Sequence, residues 1–168
     1  MKPLVSILMG SKNDYKVLEA AAKFFNENEI PFEMNAFSAH RTPMEVKQIV
    51  STAHERGVKV FMAAAGMAAH LPGVVASLTH LPVIGIPVNA SFDGMDALLS
   101  IVQMPPGIPV ATVSVNGAQN AAILALQILA TSDKTMEEKM LQFKSGLKGK
   151  VIAANQELAQ ESFPFRVQ

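Results

Sequence analysis

The strongest constraint on this chain is a series of short apolar runs that alternate with stretches of helical periodicity. Runs of β character lie at 4–9, 31–37, 58–64, 83–88 and 110–115. Between the first two, Val17, Leu18, Ala21, Ala22, Phe24 and Phe25 recur at helical spacing. A strand that is apolar along its length has no face to offer water. It belongs in a parallel sheet with helices on both sides, joined by right-handed crossovers. In open sheets of this kind a ligand binds beyond the carboxyl ends of the strands. That rule selects three loops before any residue is weighed: 10–14, 38–43 and 65–73.

Local signals place the helices. Asp14 is positioned to N-cap a helix that runs to about Glu27. Thr42, Pro43 and Glu45 read as N-cap, first helical residue and capping-box partner, with Gly57 ending that helix. Further helices are expected from Leu71 or Pro72 to Leu78, near 95–103, and at 118–130. The last is apolar nearly all round and must be buried, with a contact between subunits as one place for it. An amphipathic helix over 134–160, loosened at Gly146 and Gly149, closes the chain. The expected organisation is one domain over 1–168, with an α/β core at 1–131 and a helical extension at 132–168.

Composition narrows the function classes. The 168 residues include no cysteine, which removes disulfides, thiolate catalysis and Cys-ligated zinc and fits a reducing cytoplasm. Fourteen basic and fourteen acidic residues cancel, so nothing points to a nucleic-acid surface. The chain is 49% hydrophobic and only 17% charged, which favours apolar surface shared with other copies. Membrane insertion is excluded by run length, since a spanning helix needs about 20 consecutive apolar residues. The first apolar run is also too short for a secretory h-region and reads as a strand.

The three loops hold the chemistry. Gly10-Ser11-Lys12-Asn13-Asp14 joins a strand to a helix, and its amides and the helix N-terminus suit an anion. A capped βα turn with no ligand explains the same residues. The loop matches neither a P-loop nor a dinucleotide-binding fingerprint, and Asp14 would sooner meet sugar hydroxyls than phosphate. In Ser38-Ala39-His40-Arg41-Thr42-Pro43, Arg41 offers a planar fork of donors and His40 a proton carrier suited to neutral pH. Ala63 to Gly73 is built of small residues, which serve tight strand–helix packing or close approach to a ligand. His70 within it either lines a site or bonds a loop carbonyl. His54 and His80 read as structural or solvated, and the four histidines lack metal-ligand spacing, so no metal is expected. Ser11, His40 and Asp14 do not make a hydrolase, because no nucleophile elbow or oxyanion-hole motif accompanies them.

At these residues the chain resembles the N5-carboxyaminoimidazole ribonucleotide mutase family, the class I catalytic subunit of phosphoribosylaminoimidazole carboxylase. The similarity runs from about Val5 to Ala130. It adds to the three loops the segments Leu81-Pro82-Val83-Ile84-Gly85-Ile86-Pro87, Ser100-Ile101-Val102-Gln103-Met104-Pro105 and Pro109-Val110-Ala111-Thr112. The resemblance implies a flavodoxin-like three-layer αβα sandwich, a homo-octamer and a cytoplasmic isomerase of purine (IMP) biosynthesis that needs no cofactor. It implies that Ser11 and Asp14 bind substrate, that Arg41 takes the phosphate and that His40 transfers protons. Ser38, Ala65, Gly66, His70 and Leu71 would line a pocket around the migrating carboxylate. The implied reaction releases carboxylate from nitrogen as CO2, traps it and adds it to C4.

Three positions depart from the family pattern. Asn13 stands where Ser is usual, Met67 where Gly is common, and 115–120 is about two residues shorter than in some relatives. Class II relatives, which carboxylate aminoimidazole ribonucleotide directly with CO2, usually carry Lys after the His and a different third loop. Arg41 and the Ala68–Gly73 run favour class I over this alternative. A non-catalytic nucleotide-binding module on the same fold is the rival from another class.

Overall fold

A computed structural model describes residues 1–167. The chain alternates strands and helices: β1 (Val5–Met9), α1 (Tyr15–Glu27), β2 (Phe32–Ala36), α2 (Pro43–Ser51), α3 (Ala53–Arg56), β3 (Val60–Gly66), α4 (Leu71–Leu78), β4 (Val83–Val88), α5 (Met95–Val102), β5 (Ala111–Thr112), α6 (Ala118–Ala130) and α7 (Lys134–Gln160). The strands form one parallel sheet in the order β2-β1-β3-β4-β5. This is the flavodoxin-like order, which reverses direction between β1 and β3.

The apolar strands divide their side chains between two cores. Val5, Ile7 and Met9 of β1 join Val60, Met62 and Ala64 of β3 and Ile84 and Ile86 of β4 beneath α1, α6 and the start of α7. On the other face Leu8, Phe61, Ala63 and Ala65 meet α2, α4 and α5 through Val46, Val50, Leu71, Val75 and Ile101. Three layers follow. Among the described residues no helix is long and apolar enough to cross a membrane.

Several local expectations are corrected. Asp14 precedes α1 but gives its helix no side-chain cap; a 3-10 turn, Lys12–Asp14, intervenes, and Ser11 caps that turn instead. Thr42 does not cap α2, nor does Glu45 close a box, because the Thr42 hydroxyl is already bonded to Ser38. The helix expected through Gly57 breaks after Ser51, where both Ser51 Oγ and Thr52 Oγ1 donate to the Gln48 carbonyl. Such back-bonding bends helices. Gly57 does end α3, at φ +98°. Only Ala111 and Thr112 of 110–115 pair as a strand, at the sheet edge. α7 runs unbroken through Gly146 and Gly149. α6 is buried within its own chain, between the sheet, α1 and α7, with Gln119, Asn120 and Gln127 facing solvent.

One polar cluster enters the second core. Ser6, fully buried, donates to Glu33 Oε1 at 2.8 Å, and Arg56 of α3 forks onto both oxygens of Glu33 at 2.8 and 3.1 Å. Arg56 also reaches the Ile49 carbonyl at 2.8 Å. Ser6 and Glu33 are register partners in the β1–β2 pair.

Candidate active site

The loops after β1, β2 and β3 converge at the carboxyl edge of the sheet around one cavity of about 580 Å³. The first wall is Gly10 to Asp14. Ser11 is extended, its Oγ accepts the Asn13 amide at 3.2 Å, and its own amide donates to Asp14 Oδ2 at 3.0 Å. This reciprocal box holds Asp14 half-buried at the cavity edge. Burial pushes its carboxyl above the usual carboxylate range, against the opposing pull of the Ser11 amide.

The second wall is a knot around Ser38. Its Oγ accepts the amides of His40 and Arg41, both at 3.3 Å, while its carbonyl accepts the Thr42 amide at 2.9 Å. The Thr42 hydroxyl accepts the Ser38 amide at 2.7 Å and donates back to its carbonyl at 3.1 Å. A five-residue loop is thereby closed on itself, and it aims His40 and Arg41 over the sheet edge. Arg41 Nη2 donates to the Gly10 carbonyl at 3.3 Å, tying the second wall to the first. Among the described residues Arg41 makes no ion pair, so its charge is available to an anion.

The third wall is apolar. Ala65 and Leu71 are buried and line the cavity with Gly66 and Ala68. Gly66 is there for space: a Cβ would lie 2.8 Å from Ala90 Cβ and 3.1 Å from the Val88 carbonyl. Both readings of the small-residue stretch are therefore met, since it packs tightly and faces the cavity. Met67, at φ +55° and exposed, sits on the rim in a backbone region where glycine is at ease. His70 does not stand alone, and among the described residues its ring bonds no carbonyl. Its Nδ1 lies 2.8 Å from His40 Nε2.

The structure thus places all nine candidate residues, Ser11, Asp14, Ser38, His40, Arg41, Ala65, Gly66, His70 and Leu71, around one cavity. Ala90, beyond the end of β4, also lines it and was outside the three loops chosen from the sequence; its place just after an apolar strand was the available signal.

Residues 4–150 match the family model described as AIR carboxylase. The chain belongs to the AIR carboxylase family. Its relatives include the N5-carboxyaminoimidazole ribonucleotide mutase of Methanocaldococcus jannaschii, 50% identical over 157 residues, covering 94% of this chain and 98% of that protein. The Pyrococcus abyssi protein of the same name is 51% identical over 87% of this chain and 84% of its own length. A Candida glabrata phosphoribosylaminoimidazole carboxylase is 51% identical over 84% of this chain but only 25% of that longer protein. Among solved structures, Treponema denticola PurE superposes with a TM-score of 0.84 at 29% identity, covering 94% of this chain and 99% of that one. The AIR carboxylase fold accounts for the whole sheet described above.

Proposed function

We propose that this chain is an isomerase that interconverts N5-carboxyaminoimidazole ribonucleotide and 4-carboxyaminoimidazole ribonucleotide in purine biosynthesis. The observation that carries this reading is the 50% identity, over nearly the full length of both chains, to a protein named for that reaction. The geometry suits the chemistry. Arg41, whose guanidinium makes no ion pair among the described residues, offers its charge to the phosphate, and Asp14 with Ser11 offers polar partners to the ribose. His40 hands a proton to the exocyclic nitrogen as the N–C bond breaks. The bond's electron pair stays on nitrogen and CO2 leaves neutral. The small apolar wall of Ala65, Gly66 and Leu71 suits a neutral gas that must neither escape nor hydrate. Ring carbon C4 then attacks CO2, forming the C–C bond, and His40 takes the C4 proton. The proton lent in the first half returns in the second, so no co-substrate is consumed.

The test is turnover of carboxyl-labelled N5-carboxyaminoimidazole ribonucleotide by purified protein, without ATP, in unlabelled bicarbonate. Label should appear in the product with little dilution. Complete dilution, with aminoimidazole ribonucleotide the better substrate at modest bicarbonate, identifies a direct carboxylase instead. Tight binding without turnover identifies a nucleotide-binding module.

The same reading includes a cytoplasmic homo-octamer in which 1–131 is the catalytic core and 132–168 an assembly extension of a single domain. Support comes from α7. Met136 and Met140 are buried against the chain's own core, yet Leu147, Val151 and Leu158 continue along the helix exposed to solvent, followed by exposed Phe163 and Phe165. Apolar side chains spaced like these need a covering surface.

A further inference from the structure

His40 does not meet the cavity alone. Its Nε2 and the Nδ1 of His70 are 2.8 Å apart, and the two rings cross at 74° with centroids 4.9 Å apart. Two imidazole nitrogens this close share one hydrogen. With a hydrogen on each, the two N–H groups collide; with none, two lone pairs face each other. The contact therefore couples the tautomer of His40 to that of His70.

Both backbones that carry the rings are held firmly. His70 immediately precedes α4, donating its amide to the Ala68 carbonyl at 2.8 Å and accepting the Val74 amide at 3.0 Å. His40 hangs from the Ser38 knot. An imidazole that moves protons usually has an orienting partner on its other nitrogen, most often a carboxylate. Among the described residues Asp14 is the only carboxylate lining the cavity, and it is committed to the Ser11 amide. Among the described residues, no hydrogen bond engages Nδ1 of His40 or Nε2 of His70.

We infer that His70 is the positioning residue for the proton carrier His40. With its own hydrogen on Nε2, His70 offers the Nδ1 lone pair to the Nε2–H of His40. That bond persists whether His40 is neutral or cationic. It leaves Nδ1 of His40 as the nitrogen that gives its proton to the substrate nitrogen and later takes the proton from C4. The inference rests on the reading of His40 as proton carrier, and it assigns His70 a task beyond lining the carboxylate pocket.

Two variants and one spectrum test it. His70→Phe keeps a ring of similar size and removes the lone pair; His70→Asn restores a polar group near the position of Nδ1. Loss of an orienting partner of this kind costs about ten- to a hundredfold in activity. His70→Phe should therefore lose that much kcat with KM changed by no more than about threefold, and His70→Asn should recover most of the loss. Nitrogen-15 NMR of the substrate-free protein should show neutral His40 as the Nε2–H tautomer, becoming a mixture in His70→Phe. Unchanged kcat in His70→Phe, a loss confined to KM, no rescue by Asn, or an Nδ1–H tautomer of His40 in the wild type would each overturn the inference. The spectrum needs no substrate, so absence of mutase turnover in the wild type would count against the proposed function alone.

Discussion

Substituting Gly66 tests whether the sheet edge and the chemistry are mechanically one unit. Gly66 ends β3 opposite Val88. A Cβ at this position would meet Ala90 Cβ at 2.8 Å and the Val88 carbonyl oxygen at 3.1 Å. Carbon atoms sit comfortably at about 3.5–4.0 Å, so the gap must open by roughly 0.7 Å. Neither neighbour is the end of a flexible side chain, so the strain falls on the main chain of the loop after β3 or the loop after β4. Overpacking of this kind costs about 1–3 kcal/mol. At about 2–4 °C per kcal/mol for a chain of this size, Gly66→Ala should lower Tm by about 2–12 °C. The same displacement carries His70 and the apolar wall with it, and misplacing reacting groups by about 1 Å costs on the order of a hundredfold in rate. Calorimetry and steady-state turnover of the same preparation read both effects. Gly107→Ala is the control, because among the described residues nothing lies within 4 Å of where a Cβ would stand, although φ is +96°; it should lose stability without losing turnover. A Gly66→Ala protein with wild-type turnover would refute the coupling, whatever its Tm.

The remaining expectations concern the site and the assembly. His40→Asn should fold and bind nucleotide but lose about 10²–10⁴ in rate, the usual worth of general acid–base help, whereas His54→Asn, altering an exposed residue on α3, should turn over normally. Arg41→Ala and Asp14→Ala should each weaken nucleotide binding, measured calorimetrically, by about ten- to a hundredfold, the worth of one charge-assisted hydrogen bond. The raised carboxyl of Asp14 means that the folded chain holds this proton more tightly than the unfolded one. Its contribution to stability is full below the ordinary carboxylate range and is lost as pH rises through the raised folded value. Asp14→Asn, which keeps an acceptor for the Ser11 amide, should gain Tm over wild type at neutral pH, and the gain should vanish in acid. Light scattering should give about eight chains per particle, and a clean monomer at micromolar concentration would remove the octamer from the proposal.

Much of this was legible in the sequence, and the exceptions have definite causes. β1, β3 and β4 are readable because burial on both faces leaves a run that is apolar throughout but for Ser6. The 110–115 run is broken by Thr112 and Ser114, and none of its residues is buried within the chain; beyond Thr112 only isolated amides, such as Val113 to the Gly85 carbonyl at 3.1 Å, still follow β4. The break after Ser51 carries no glycine or proline and depends on hydroxyls turning back to one carbonyl. The three site loops followed from topology alone. The His40–His70 contact did not, because it joins side chains thirty residues apart on separate loops, and periodicity says nothing about such meetings.

The buried hydroxyl of Ser6 deserves a different accounting from the one stability would give it. An alternating strand announces its own alignment, because a slip by one residue turns its oily side to water. β1 cannot do so, since Val5, Ile7, Leu8 and Met9 are buried whichever face they take. Slipped against β2, it would present much the same hydrocarbon to the same helices. Within β1, Ser6 marks the correct alignment, by facing Glu33 and, through it, Arg56. A slip of one residue would shift Gly10 by about 3.3 Å along the strand axis relative to the loop after β2, and would part Arg41 from the Gly10 carbonyl that it now touches. Ser6 thus works as an index mark on a strand that otherwise carries none, set against the alternating pattern of β2: a single oxygen, remote from the cavity, helps to keep two halves of the anion site in step.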